Sequence, residues 1–270
     1  MRGLKVTLVL TYIIIIILLL LKCQGCEHQD IKGRDIVIVD TIRKQVIIRD
    51  TVRIDEDSPV EIKEKFNADV VMCIDCTMSM SSIIGTIKNN AMNFYADLKQ
   101  KCRAQGKQVL SLRIKVIAFR DRYDTHPFEV STFFTMPEQE GQFKTFVSKL
   151  QDIGGGDRYE LGYDALAMAL QSDWGGVEDS RRVVILWTDD GSHPLLGMTS
   201  TFGGYEQMKS YWHNDLGGEA KRLILFAPSH PTWTKIEGEW DNAVRHDVGV
   251  GRGLTDVDYD EIIKTLTETI

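Results

Sequence analysis

The stretch Ala68-Asp-Val-Val-Met-Cys-Ile-Asp-Cys-Thr-Met-Ser79 decides how the rest of the chain is read. Through Ile74 it is almost wholly apolar, in a run too short for a helix and without the alternation of a half-solvated strand. Such a run suits a strand covered on both faces, as in a parallel sheet. It ends on Asp75, and helical spacing takes over: Ile83, Ile84, Ile87, Ala91, Phe94, Tyr95, Leu98 and Cys102 share one face.

The same alternation continues downstream. Strands are expected over residues 110–119, 182–188 and 223–227, with short ones over 128–134, on an edge, and 247–250. Helices are expected over 143–150, 163–170, 205–212, 233–244 and 257–266. Strands alternating with helices predict an α/β fold: a doubly wound, mainly parallel central sheet with helices on both faces. In such folds ligands bind beyond the carboxyl ends of the strands.

Three oxygen-rich clusters fall at those ends. In Asp75-x-Thr77-x-Ser79, alternate residues of an extended loop can aim a carboxylate and two hydroxyls at one point. That donor set suits a hard cation such as Mg²⁺; the competing role is capping of the following helix. In Gly154-Gly-Gly-Asp-Arg-Tyr-Glu160 the glycines permit a tight backbone that presents Asp157 and Glu160 near a helix start. A capping box with Asp157 as the cap explains the same spacing, and neither phosphate-loop pattern is present. The third cluster, Asp189-Asp190-Gly191, follows the strand expected at 182–188 and reads as a turn or as a ligand.

In this order the clusters resemble the von Willebrand factor A (vWA) domain family, and Asp75-x-Thr77-x-Ser79 resembles that family's metal-ion-dependent adhesion site (MIDAS) motif. Ala118-Phe-Arg-Asp121, Gly154-Gly-Gly-Asp157 and Asp164-Ala-Leu166 add to the resemblance, which covers about residues 66–270. It implies a Rossmann-like vWA fold holding Mg²⁺, or Mn²⁺ or Ca²⁺. Thr77 and Ser79 would bind the metal by their hydroxyls, and Asp75 and Asp189 directly or through water, with Asp190 in reserve for Asp189. Asp157-Arg-Tyr-Glu160 is similar to a segment of integrin β-type A domains. That similarity makes Glu160 the second-loop ligand and Asp157 an alternative or supporting group. The implied partner is a protein supplying an Asp or Glu carboxylate to the metal. The rim is expected to include residues 120–126 and 193–216, where Phe202, Tyr205, Tyr211 and Trp212 serve as interface anchors or as helix packing.

No enzymatic activity is expected, because the six histidines are scattered and neither HExxH nor GxSxG occurs. The alternatives are a metal-dependent hydrolase using His193 and a structural scaffold with a vestigial metal site. A net charge of −7 argues against a nucleic-acid partner.

At the N-terminus, Arg2 and Lys5 precede an apolar run from Val6 to Leu21. Residues 1–26 therefore read as a signal or membrane-anchor segment. Gly25 before Cys26 makes Cys26 a lipidation candidate, and cleaved, retained and lipidated forms all fit. The expected location is membrane-anchored and outside the cytoplasm, periplasmic or at the cell surface. Residues 27–65 contain two copies of a β-branched unit with a period of ten, 36–43 and 46–53, and read as a β-rich stalk or linker before the vWA-like domain of 66–270. Cys73 and Cys76 have CxxC spacing but no second pair for zinc, so burial as small hydrophobes is expected.

Overall fold

The first strand, β1 (Glu64–Asp75), alternates between two cores. Val70, Met72 and Ile74 point into one, and Val71 and Cys73 into the other. This is why the run carries no polar alternation: neither face meets water. The computed structural model describes residues 61–248 apart from Ile83, Asp157, 176–179, Thr199, Gly218 and Glu219. Asp157, Cys26, the segment 1–26, most of the stalk 27–65 and the helix expected at 257–266 thus lie outside the described residues. β1 begins at Glu64 rather than Ala68, because its ladder with the next strand runs back to Lys107.

The elements after β1 are α1 (Ile84–Ala104), β2 (Lys107–Phe119), β3 (Phe128–Val130), β4 (Phe134–Met136), α2 (Glu140–Lys149) and α3 (Gly162–Leu170). Then come β5 (Ser180–Trp187), α4 (Tyr205–Ser210), β6 (Lys221–Ala227), α5 (Pro231–Glu239) and β7 (Ala243–Asp247). A π-helical turn, Tyr211–Asp215, extends α4. The sheet order is β3-β2-β1-β5-β6-β7, with β4 also on β2. All pairs are parallel except those of β3 and β4 with β2. Helices α1 and α2 cover one face through Ile87, Phe94, Leu98, Phe143 and Val147. Helices α3, α4 and α5 cover the other through Leu166, Leu170, Met208, Trp233 and Ile236. The architecture is the expected doubly wound α/β one.

Two expectations are corrected. The stretch 128–134 forms two strands rather than one. Ser131 interrupts the ladder, its hydroxyl accepting the Val116 N–H at 2.9 Å, and pairing resumes at Phe134. The helix expected to reach Val244 stops at Glu239. Trp233, Ile236, Trp240 and Val244 do continue at helical spacing, but Asn242 adopts φ 57° and turns the chain. Val244 then pairs with Ile224, so the last described strand is Ala243–Asp247 rather than 247–250.

Candidate metal centre

The chain leaves β1 toward β2 on one side and later returns to β5 on the other. The crevice beyond the carboxyl ends of β1 and β5 is therefore the topological switch point. Register fixes what meets there. Ile74 pairs with Trp187 and Asp75 with Phe119, so the residues just past these pairs converge. Thr188, level with Asp75, donates its hydroxyl hydrogen to Asp75 Oδ2 at 2.8 Å. Asp75 Oδ1 accepts from the Thr77 N–H at 3.0 Å and from Thr77 Oγ1 at 2.7 Å. Ser79 Oγ donates to Asp189 Oδ1 at 3.0 Å, tying the first loop to the third across 110 residues of sequence.

One further distance bears on the chemistry. Thr77 Oγ1 and Ser79 Oγ lie 3.0 Å apart. Each hydroxyl has a single hydrogen, which can turn to a carboxylate, Asp75 for Thr77 and Asp189 for Ser79, or across this pair. Two cis ligands of an octahedral Mg²⁺ at its usual bond length stand about 3 Å apart, so the pair has the spacing of a hard-cation site.

The second loop brings Glu160 to the same point. A parallel bridge pairs Glu160 with Ser192, and the Glu160 carbonyl accepts from the His193 N–H at 3.0 Å and from Ser192 Oγ at 3.2 Å. The capping-box reading fails here. Helix α3 starts at Gly162 behind Leu161, which makes no side-chain cap bond, and Ser192 Oγ accepts the Tyr163 N–H instead. The loop is also clamped from below. Asp121 Oδ2 accepts the Gly156 N–H at 2.9 Å, and Asp124 Oδ2 accepts those of Asp121 and Gly155 at 3.1 and 3.2 Å. Gly154 has φ 86°, and a side chain there would run into the Asp124 carboxylate.

The centre is rich in buried anions. Asp75, Glu160 and Asp189 are all buried, and Glu160 Oε2 and Asp189 Oδ2 have no hydrogen-bond partner. Burial, with the charges of Asp75, Asp189 and Asp190 adding to it, pushes Glu160 up to about 10. Burial also raises Asp75 to about 7 against the opposing pull of its Thr77 and Thr188 bonds, and raises Asp189. Buried carboxylates without compensation are costly. A divalent cation supplies that compensation, so the donor set fits one. Among the described residues no group of three His, Cys, Asp or Glu side chains forms a metal site by itself. The convergence is of mixed hydroxyl and carboxylate type.

The structure thus brings Asp75, Thr77, Ser79, Glu160 and Asp189 to one crevice. Asp190 bonds other groups: its carboxylate accepts the Gly191 N–H, and its carbonyl accepts Trp233 Nε1 at 2.7 Å. Two rim expectations resolve as packing. Trp212 is fully buried and stacks on Trp240, while Tyr205 packs between Tyr163 and Trp240. Arg120 is buried, bound to Glu129 and to the carbonyls of His126 and Gln151. Sequence reasoning passed over Thr188, although a hydroxyl directly after a buried strand was a usable signal. It also passed over the Asp121–Asp124 clamp and Ser192, which only long-range contacts disclose.

The fold and this cluster define a doubly wound α/β domain with an acid-and-hydroxyl centre at its switch point. Among solved structures the chain is similar to the von Willebrand factor type A protein from Catenulispora acidiphila, at 14% identity over 73% of this chain and 42% of that one, with TM-score 0.46. It is similar to the PilB minor pilin from Streptococcus sanguinis, at 11% identity over 77% and 63%, with TM-score 0.48. It is also similar to the vWF domain of the type V pili tip protein Mfa5 from Porphyromonas gingivalis, at 19% identity over 51% and 43%, with TM-score 0.35. This chain therefore spans less than two thirds of each of those proteins. The TM-scores lie below 0.5, so the fold is read from this chain's own strand order and register. No family model and no curated protein matches the chain.

Proposed function

We propose that this chain is a vWA-like, MIDAS-type module that holds a divalent cation, Mg²⁺ or else Mn²⁺ or Ca²⁺, and binds a protein partner through an Asp or Glu carboxylate. The observation that carries the reading is the pair of buried, unpartnered carboxylate oxygens on Glu160 and Asp189, set beside two hydroxyl oxygens 3.0 Å apart. When bound, the cation supplies an electrophile with a coordination position left for an outside carboxylate. Thr77 and Ser79 offer lone pairs to it while their hydrogens turn to Asp75 and Asp189. Asp75, held by Thr188, orients the first loop, and Glu160 balances charge from the second. The Ser192 bridge and the His193 N–H hold the Glu160 backbone, and the Asp121–Asp124 clamp holds the glycines before it, the kind of outer support on which metal affinity depends.

The module is proposed to face outside the cytoplasm, tethered by residues 1–26. Support comes from the charged start and apolar run of that segment. Among the described residues no helix is long and apolar enough to cross a membrane.

Calorimetric titration of the protein with Mg²⁺, Mn²⁺ and Ca²⁺ tests the reading. Saturable binding of at least one of the three ions, lost in Asp75→Ala, is the expected result. Absence of binding and of any change in melting temperature with all three ions rejects it and favours a scaffold with a vestigial site. Metal-dependent turnover abolished by His193→Ala would favour the hydrolase instead.

A further inference from the structure

We propose that the partner docks with an acidic residue flanked by apolar side chains, which a collar of exposed hydrophobic residues around the centre receives. The inference rests on the metal-dependent binding proposed above and adds the chemistry of the partner.

Large hydrophobic side chains that stay exposed are few among the described residues, and most lie on the loops at one end of the sheet. Met78 is 65% exposed, Ile153 53% and Tyr123 68%. Met78 lies between Thr77 and Ser79 in the first loop. The Ile153 N–H donates to the Cys76 carbonyl at 3.1 Å, and the Met78 N–H to the Gly154 carbonyl at 3.4 Å, so the first and second loops are joined where these side chains emerge. Tyr123 lies against Gly156, its ring 3.1 Å from where a Cβ would stand. Leu196 and Met198, 43% and 46% exposed, lie on the third loop, their N–H groups each donating to Asp164 at 3.0 Å. The remaining two, Leu110 and Val130, lie on strands.

An apolar collar around a polar centre is the layout of an interface whose periphery excludes water from a charged contact. Methionine suits it, because a flexible thioether adapts to the shape it meets. Charge selects the occupant. Arg122 stacks on Tyr123, its guanidinium 4.6 Å from the ring centroid and within 2.8 Å of the hydroxyl. On the second loop, Arg158 lies 5.6 Å from the Tyr159 ring. Arginines held on aromatic faces beside the collar attract a further acidic group and steer its approach. A bilayer surface is disfavoured, because inserting the collar would press the buried acids of the centre against hydrocarbon. A protein segment with an Asp or Glu between apolar residues satisfies centre, collar and rim together.

The test pans a displayed library of random peptides on the full protein in millimolar Mg²⁺, with elution by EDTA. Eluted peptides are expected to share an acidic residue with apolar neighbours on both sides. A synthetic copy of the most recovered peptide should bind an Ile153→Ser, Leu196→Ser, Met198→Ser triple variant at least about tenfold more weakly. Mn²⁺ binding by that variant should be unchanged, since the three side chains are exposed and none is a ligand. Eluted peptides whose acid lies among polar residues, no EDTA-eluted peptide despite cation binding, or binding by the variant within about twofold each overturn the collar while leaving the metal reading intact. Collar-dependent sedimentation with phosphatidylcholine–phosphatidylserine vesicles overturns it in favour of a membrane occupant. Loss of cation binding by the wild-type protein is the separate failure, that of the metal reading itself, and with it the collar loses its basis.

Discussion

Replacing Glu160 by Gln should stabilise the cation-free protein at pH 8 and fail to do so at pH 5. In the native state the Glu160 carboxyl is held up to about 10, first by burial and then by the charges of Asp75, Asp189 and Asp190, against an ordinary 4.5. The folded protein thus holds this proton more tightly than the unfolded chain. The group's stabilising contribution is complete below about 4.5 and is lost progressively as pH rises toward about 10. At pH 8 the unfolded chain has gained about 3.5 pH units at about 1.4 kcal/mol each, a ceiling near 5 kcal/mol. A buried amide without a partner gives back up to about 3 kcal/mol, leaving a net gain of about 2 kcal/mol. For a domain of this size that is about 4–8 °C in melting temperature. At pH 5 the same reckoning allows under about 1 kcal/mol, less than the amide costs, so the sign reverses. Scanning calorimetry in EDTA at the two pH values measures this, and a repeat in Mg²⁺ should show a thermal gain in the wild type that the variant largely lacks. A loss of similar size at both pH values would refute the reasoning, because the carboxylate would then be compensated by something other than a cation.

Three more outcomes follow from particular contacts. Gly162→Ala places a Cβ 2.6 Å from Trp233, which is fully buried and tied to the Asp190 carbonyl; overpacking of this kind should cost about 1–3 kcal/mol, read by denaturant melts. Thr188→Val leaves Asp75 Oδ2 without its 2.8 Å donor and should weaken Mn²⁺ binding in calorimetry while costing about 1–3 kcal/mol of stability. Asp124→Ala frees the Gly154–Gly156 loop and should lower Mn²⁺ affinity by about 10–100-fold, with a much smaller change in melting temperature than Gly162→Ala.

Local pattern carried the fold. The run at 68–74 could only be a strand covered on both sides, and the apolar spacing after it could only be a helix. Pattern failed where one residue overrode it: Ser131 breaks a ladder with its side chain, and Asn242 ends a helical periodicity that the apolar residues alone would continue. The first and third loops of the centre were legible because each directly follows a buried strand. Whether Thr77 and Ser79 cap a helix or face a ligand was not, since both roles use the same hydroxyl within the same few residues; in the structure Ser79 bonds Asp189, just beyond the neighbouring strand. Glu160 was legible only through resemblance, because its burial depends on Ser192 and His193 far along the chain. The aromatic stretch 205–212 could not be assigned to rim or core by composition, and the stacking of Trp212 on Trp240 decides it.

Cys73 on β1 and Cys76 just after the strand face opposite layers. Cys73 lies in the layer of α3 and α5, Cys76 with Cys102 in the layer of α1, and all three thiols are free and buried. Desolvation keeps the Cys76 thiol up at about 12, and Cys73 and Cys102 are raised as well. Since only a thiolate reached by solvent alkylates at speed, each sulfur is silent until its own layer opens. Timed labelling, resolved site by site, would therefore act as two independent clocks, one ticking for each side of the sheet. It would show whether seating a ligand at the switch point slows both or only one.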